Sequence, residues 1–216
     1  VVVKGLVSTG CDVEDLGVVT TPILYFAIAN RKKDGGVMVT ASHNPAEWNG
    51  LKLCREKGII VGQGSGIERV KEIITAGKYA QPAKKGKSEA YQGILNEYSS
   101  FVLSQVNLER KLKVILDTAN SVQGIVAPKL FKQLGCEIVV LNEKLDGTFP
   151  GRSPEPKEES LQQLMQEVKR LKADLGVGYD ADGDRAVFVD DLGRILTGDF
   201  ASIVFAQALI TRQKRK

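Results

Sequence analysis

Three aspartates at alternate positions, Asp180, Asp182 and Asp184, surround Gly183 and run directly into Arg185. Carboxylate oxygens are hard donors that suit Mg2+ or Ca2+. Three such charges in one loop repel one another unless a cation compensates them. Gly183 permits the tight loop that could aim all three at one centre. An EF-hand loop also begins D-x-D-x-D, but its sixth position needs glycine and its twelfth is normally Glu. Here those positions hold Arg185 and Asp191, and the flanks read as strands rather than helices. On residue types alone, an exposed acidic turn that binds nothing stays open.

A second candidate is Thr40-Ala41-Ser42-His43-Asn44-Pro45. It follows the apolar run Val37-Met38-Val39, so Ser42 is expected on a loop at a strand's carboxyl end, where α/β sheets usually bind ligands. A serine hydroxyl is a weak nucleophile without a base, a positive charge or a metal. His43 is the chain's one histidine, and Asn44-Pro45 favours a turn. A serine-hydrolase triad is disfavoured, because G-x-S-x-G is absent and sequence neighbours rarely make the required hydrogen bond. A polar turn with a chance histidine stays open at this point. Gly62-Gln63-Gly64-Ser65-Gly66 is a weaker signal. Ile67 breaks the dinucleotide pattern and no Gly-Lys-Ser/Thr follows, so a flexible turn into a helix is expected.

These loops need elements to hold them, and strands alternate with helices along nearly the whole chain. Strands are expected at Cys11–Leu16, Val37–Val39, from Leu51, and at Leu112–Leu116, Cys136–Leu141, Leu175–Tyr179 and Ala186–Val189. Helices are expected from Pro22, after Gly66 to Ile74, over Tyr91–Val106 and Pro128–Leu134, along Leu161–Leu171 and from Asp199 to Ile210. Residues 76–90 lack periodicity and read as a linker. Alternation of this kind favours layered α/β domains with parallel or mixed sheets. We expect two, a Ser42-loop domain over 1–90 and an acidic-loop domain over 91–197, with 198–216 opening a third.

Composition narrows the classes. Hydrophobic residues are 43% and charged residues 26%, as in a globular protein. No apolar run reaches the ~18 residues of a membrane helix, so no membrane partner is expected. Three scattered cysteines suggest neither a disulfide framework nor a zinc cluster and favour the reducing cytoplasm. The net charge is +4, with basic runs only at 31–33, 84–87 and Arg212–Lys216. Runs like these are usually solvated, and nucleic acid is not expected as a partner. The chain has no initiator Met, and Val1–Val7 reads like the end of a helix, so a fragment is expected.

The hexapeptide at 40–45, continued by Asn49-Gly50-Leu51-Lys52, resembles the phosphoserine loop of the α-D-phosphohexomutases, the phosphoglucomutase and phosphomannomutase family. Asp180-Ala181-Asp182-Gly183-Asp184-Arg185 matches that family's metal pattern D-x-D-G-D-R, and Phe149-Pro150 and Pro154-Glu155-Pro156 also resemble a family stretch. The resemblance implies two consecutive three-layer α/β/α domains with mixed sheets and the active site in the cleft between them. It implies that Ser42 carries the phosphoryl group, and that Asp180, Asp182 and Asp184 bind Mg2+ with a phosphoryl oxygen on Ser42. It also implies that Arg185 contacts the transferring group, and it makes Lys52 and His43 candidates for proton transfer. The partners implied are a hexose phosphate and a hexose bisphosphate, and the reaction exchanges 1- and 6-phosphates.

The family has four domains, and this sequence lacks their N-terminal arginine segment, their G-E-x-S-G-H sugar loop and their last phosphate loop. Glucose, mannose and glucosamine phosphates are therefore not separated as substrates. A non-catalytic metal-binding or regulatory module is the alternative.

Overall fold

The computed structural model describes residues 1–214, with side chains through Thr211. The side chains of the basic run Arg212–Lys216 thus lie outside the described residues. By internal contacts the chain divides into two units, Val1–Thr40 with Gly50–Phe101, and Ala41–Asn49 with the residues from Val102 on.

The first unit contains α1 (Val2–Ser8), β1 (Val13–Asp15), α2 (Thr21–Asn30), β2 (Gly35–Val39), β3 (Leu51–Arg55), α3 (Ile67–Ala76) and β4 (Ser88–Ala90). Helix α4 (Ile94–Gln105) begins in it. Pro22 stands in the first turn of α2, where its missing N–H costs no helical bond. That helix buries Ile23, Leu24, Ala27 and Ile28, and a Cβ on Gly36 of β2 would lie 2.7 Å from Ile28 Cδ1. Strands β2 and β3 pair antiparallel with Val39 opposite Leu51 and Met38 opposite Lys52. This hairpin carries the Ser42 loop between its strands.

Two sequence expectations change here. Ser88–Ala90, inside the expected linker, pairs in parallel with β1, Val13 opposite Ser88. All three residues are exposed, so only backbone bonds make this strand and no apolar alternation announces it. Helix α4 starts at Ile94 rather than Tyr91, because Tyr91 serves elsewhere. The Arg31 guanidinium stacks 3.7 Å from its ring centroid, and its hydroxyl bonds Glu97.

The second unit contains β5 (Lys113–Asp117), α5 (Gln123–Gln133), β6 (Glu137–Leu141), α6 (Gln162–Leu171), β7 (Leu175–Tyr179), β8 (Ala186–Val189), β9 (Ile195–Leu196) and α7 (Gly198–Lys214). Its sheet is mixed, in the order β6-β5-β7-β8-β9. The first three strands run parallel, and β8 and β9 are antiparallel. Side chains alternate between the two faces of β5. Val114 and Leu116 pack with Ala127 of α5, while Ile115 packs with Leu164 and Val168 of α6. Two helical layers therefore sandwich the sheet. On β7, a Cβ at Gly178 would fall 2.5 Å from Leu161 Cδ2, so glycine lets the covering layer approach closely. Helix α5 starts five residues before the expected Pro128, which lies inside it. A proline more often opens a helix than sits within one; here the helix begins earlier, just after the turn Thr118–Ser121 that leaves β5.

Candidate metal centre beside Ser42

The acidic loop joins antiparallel β7 and β8. Asp180 and Asp182 are buried and Asp184 is exposed, and one carboxylate oxygen from each lies within 4.8 Å of the others. The loop can turn this sharply because Gly183 takes φ +72. A Cβ there would stand 2.4 Å from Gln123 Nε2, which donates to the Gly183 carbonyl at 3.1 Å. The Arg185 backbone N–H donates to Asp180 Oδ1 at 3.1 Å. Asp180 Oδ2 is buried without a hydrogen-bond partner, and the Arg185 Nε lies 3.7 Å from it.

Burial pushes the Asp180 carboxyl up to about 7, with the neighbouring charges of Asp182 and Asp184 adding to the rise. A carboxyl in this state asks for positive charge. An all-oxygen donor set with an orphaned buried oxygen fits a hard divalent cation.

Ser42 adopts φ +57, a left-handed backbone that non-glycine residues seldom take. This turn directs its Oγ toward the acidic loop, where the hydroxyl donates to Asp182 Oδ1 at 3.3 Å. His43 Nδ1 is 3.4 Å from the same Oγ and also accepts a hydrogen bond from the Arg185 guanidinium. A guanidinium has donors only, so the imidazole faces a cation where a hydrolase triad would place a carboxylate. Glu155 feels the charge of this pair. Its carboxyl is lowered chiefly by the hydrogen bond from Lys157, with His43 and Arg185 contributing charge.

The structure thus brings together Ser42, His43, Asp180, Asp182, Asp184 and Arg185, all within the second contact unit. Lys52 lies on β3 of the first unit. Sequence reasoning missed Gln123 and Ser121, whose Oγ donates to the Asp180 carbonyl at 3.5 Å. Both act across about sixty positions of chain and belong to no motif around the aspartates. In the glycine-rich loop, Glu68 takes the Gly64 N–H at 2.8 Å and Ser65 Oγ takes that of Gly62 at 2.7 Å, so these two backbone donors are engaged within the protein.

Comparison with known proteins identifies the family. Residues 1–81 match the family model described as phosphoglucomutase/phosphomannomutase, alpha/beta/alpha domain I, and residues 94–193 match that of domain II. The chain belongs to the phosphoglucomutase/phosphomannomutase family. It is 39% identical over 212 residues to a phosphomannomutase/phosphoglucomutase of Pseudomonas putida, covering 97% of this chain and 44% of that protein. It is 37% identical over 218 residues to a phosphoglucomutase/phosphomannomutase of Thermococcus kodakarensis, covering 96% and 46%. A crystal structure of a family protein from Burkholderia thailandensis superposes with a TM-score of 0.89 at 34% identity, over 97% of this chain and 46% of that one. The chain therefore spans a little under half the length of the relatives it matches.

Proposed function

We propose that this chain supplies the phosphoryl-transfer residues of a hexose-phosphate mutase. The observation that carries the reading is the Ser42 hydroxyl at 3.3 Å from Asp182, inside an acidic cluster whose buried Asp180 Oδ2 lacks a hydrogen-bond partner. In this reading Asp180, Asp182 and Asp184 hold Mg2+, to which a phosphoryl oxygen on Ser42 adds a further ligand. The ion supplies Lewis acidity and charge neutralisation to the transferring group.

The protein's own groups do the positioning. The turn at Ser42 presents Oγ, and Arg185 offers its guanidinium to equatorial phosphoryl oxygens. His43 and Lys52 are the groups proposed to move protons. In transfer, the bond from Ser42 Oγ to phosphorus breaks as a sugar hydroxyl oxygen bonds to phosphorus and gives up its proton to a base, and Ser42 Oγ takes up a proton to end as the free hydroxyl. The bisphosphate so formed then returns its other phosphate to Ser42. Relatives are named for glucose, mannose and, in Methanopyrus kandleri, glucosamine chemistry, and we leave the sugar at the level of a hexose phosphate. Free Cys11, Cys54 and Cys136 suit a reducing compartment, which supports a cytoplasmic site of action. The non-catalytic alternative has no feature of the site in its favour, since every acidic and serine position of the motifs is present.

The test is transfer of labelled phosphate to Ser42 from a hexose 1,6-bisphosphate in the presence of Mg2+. We expect incorporation into the wild type, none into Ser42→Ala, and a loss of at least about 100-fold in rate for Asp182→Ala. Folded wild-type protein that stays unlabelled overturns the reading.

A further inference from the structure

The acidic loop begins one residue after β7, and a buried guanidinium stands at that junction. The Arg152 side chain is 4% exposed and the Asp117 carboxylate it faces is 1% exposed. Arg152 Nε donates to Asp117 Oδ2 at 2.8 Å, and its Nη1 donates to the Ser153 carbonyl at 2.8 Å. Its Nη2 donates to two carbonyls, Tyr179 at 2.6 Å and Asp117 at 3.3 Å. Asp117 and Tyr179 are the last residues of the adjacent parallel strands β5 and β7. The other carboxylate oxygen, Asp117 Oδ1, accepts from the Ala119 N–H and from Asn142 Nδ2, both at 3.0 Å. Every oxygen of that carboxylate is thereby engaged.

We propose that Arg152 is a positioning residue for the metal centre, tying the ends of β5 and β7 together and so fixing where the Asp180 carboxylate stands; this rests on the metal reading of the acidic loop. The Tyr179 carbonyl belongs to the peptide that ends in the Asp180 nitrogen. Holding that oxygen sets the peptide plane from which Asp180 departs, while Ser121 Oγ holds the carbonyl on its other side. Both peptide planes flanking the most buried aspartate are pinned. Lysine cannot reproduce this, because an ammonium is a point donor and cannot reach a carboxylate and three carbonyls from one plane. Groups that orient a metal ligand in this way affect affinity by about 10–100-fold.

The experiment titrates the full chain with Mn2+ alone and reads the free ion by electron paramagnetic resonance, so that no turnover is involved. Wild type, Arg152→Lys and Asp182→Asn are compared, with near-ultraviolet circular dichroism reporting the fold. We expect Arg152→Lys to stay folded and bind Mn2+ about 10–100-fold more weakly. Wild type and Asp182→Asn binding alike would sink the metal reading itself. Asp182→Asn weakened with Arg152→Lys at wild-type affinity would sink only the positioning role. Should Arg152→Lys fail to fold, Asp117→Asn carries the test, with a fall of about tenfold expected. Unchanged affinity in folded Asp117→Asn, or loss of fold in both variants, overturns the proposal.

Discussion

Replacing Asp180 by Asn should stabilise the metal-free protein at alkaline pH and not at acidic pH. The Asp180 carboxyl moves from 3.8 to about 7 on folding, chiefly through burial. At roughly 1.4 kcal/mol for each tenfold change in proton affinity, that is a difference of about 4 kcal/mol between its two protonation states. Between pH 4 and 7 the native state holds a proton that the unfolded chain has lost. Stability therefore falls as pH rises, by about 2.5 kcal/mol from pH 5 to pH 8. Seven other carboxyls, two thiols and two phenols move away from this window on folding. Glu14, Glu68, Asp146, Glu155, Glu167, Asp174 and Asp190 are lowered below 4.5. Cys54, Cys136, Tyr91 and Tyr98 are raised above 9.

An asparagine is neutral throughout and keeps an acceptor for the Arg185 N–H. It adds a buried amide donor, which costs about 1–3 kcal/mol if unpaired. The net gain is about 1–3 kcal/mol at pH 8 and disappears by pH 5. Urea unfolding in chelator at pH 5, 6.5 and 8 reads this directly. Saturating Mg2+ should remove the wild type's alkaline loss, adding about 2.7 kcal/mol at a hundredfold excess over Kd, and should do far less for Asp180→Asn. A wild type whose stability is flat from pH 5 to 8, or an Asp180→Asn variant that falls in parallel with it, refutes the reasoning.

Ser42→Gly should be more stable than Ser42→Ala by about 1 kcal/mol, since both lose the hydroxyl and only alanine keeps the left-handed cost; chemical denaturation of the pair checks it. Gly183→Ala meets both a positive φ and Gln123 Nε2 at 2.4 Å, and should cost about 1–3 kcal/mol and weaken Mn2+ binding. Calorimetry and metal titration would reveal the opposite result, an unchanged melting point and affinity. Leu164, fully buried under β5 and β7, should cost about 2–5 kcal/mol when cut to alanine, measured as a lowered urea midpoint.

Local pattern is legible in the sequence where one short segment shapes itself. The spacing of Asp180, Asp182 and Asp184 about Gly183 implied a convergent carboxylate loop, and the oxygens do converge. Strands are expected from the sequence at Leu112–Leu116 and Leu175–Tyr179, and β5 and β7 lie there, paired in parallel. Signals of this kind survive because a loop of six residues and a strand of five contain the groups that shape them. Elements without an apolar pattern of their own escaped, as Ser88–Ala90 shows. A local rule also misplaced the start of α5, since a packed helix can absorb Pro128.

By itself, then, the order of residues determined which side chains could do chemistry: a serine, a histidine, an arginine and three aspartates in two short loops. Only the tertiary structure decided that the two loops meet, with Ser42 Oγ donating to Asp182 across 140 positions of chain. It also decided that Asp180 loses solvent and its carboxyl rises to about 7. Gln123, Ser121 and Arg152 gained their roles the same way. Burial and hydrogen-bond geometry are properties of neighbours in space, and these neighbours come from β5, α5 and the loop after β6, which no spacing around the aspartates encodes.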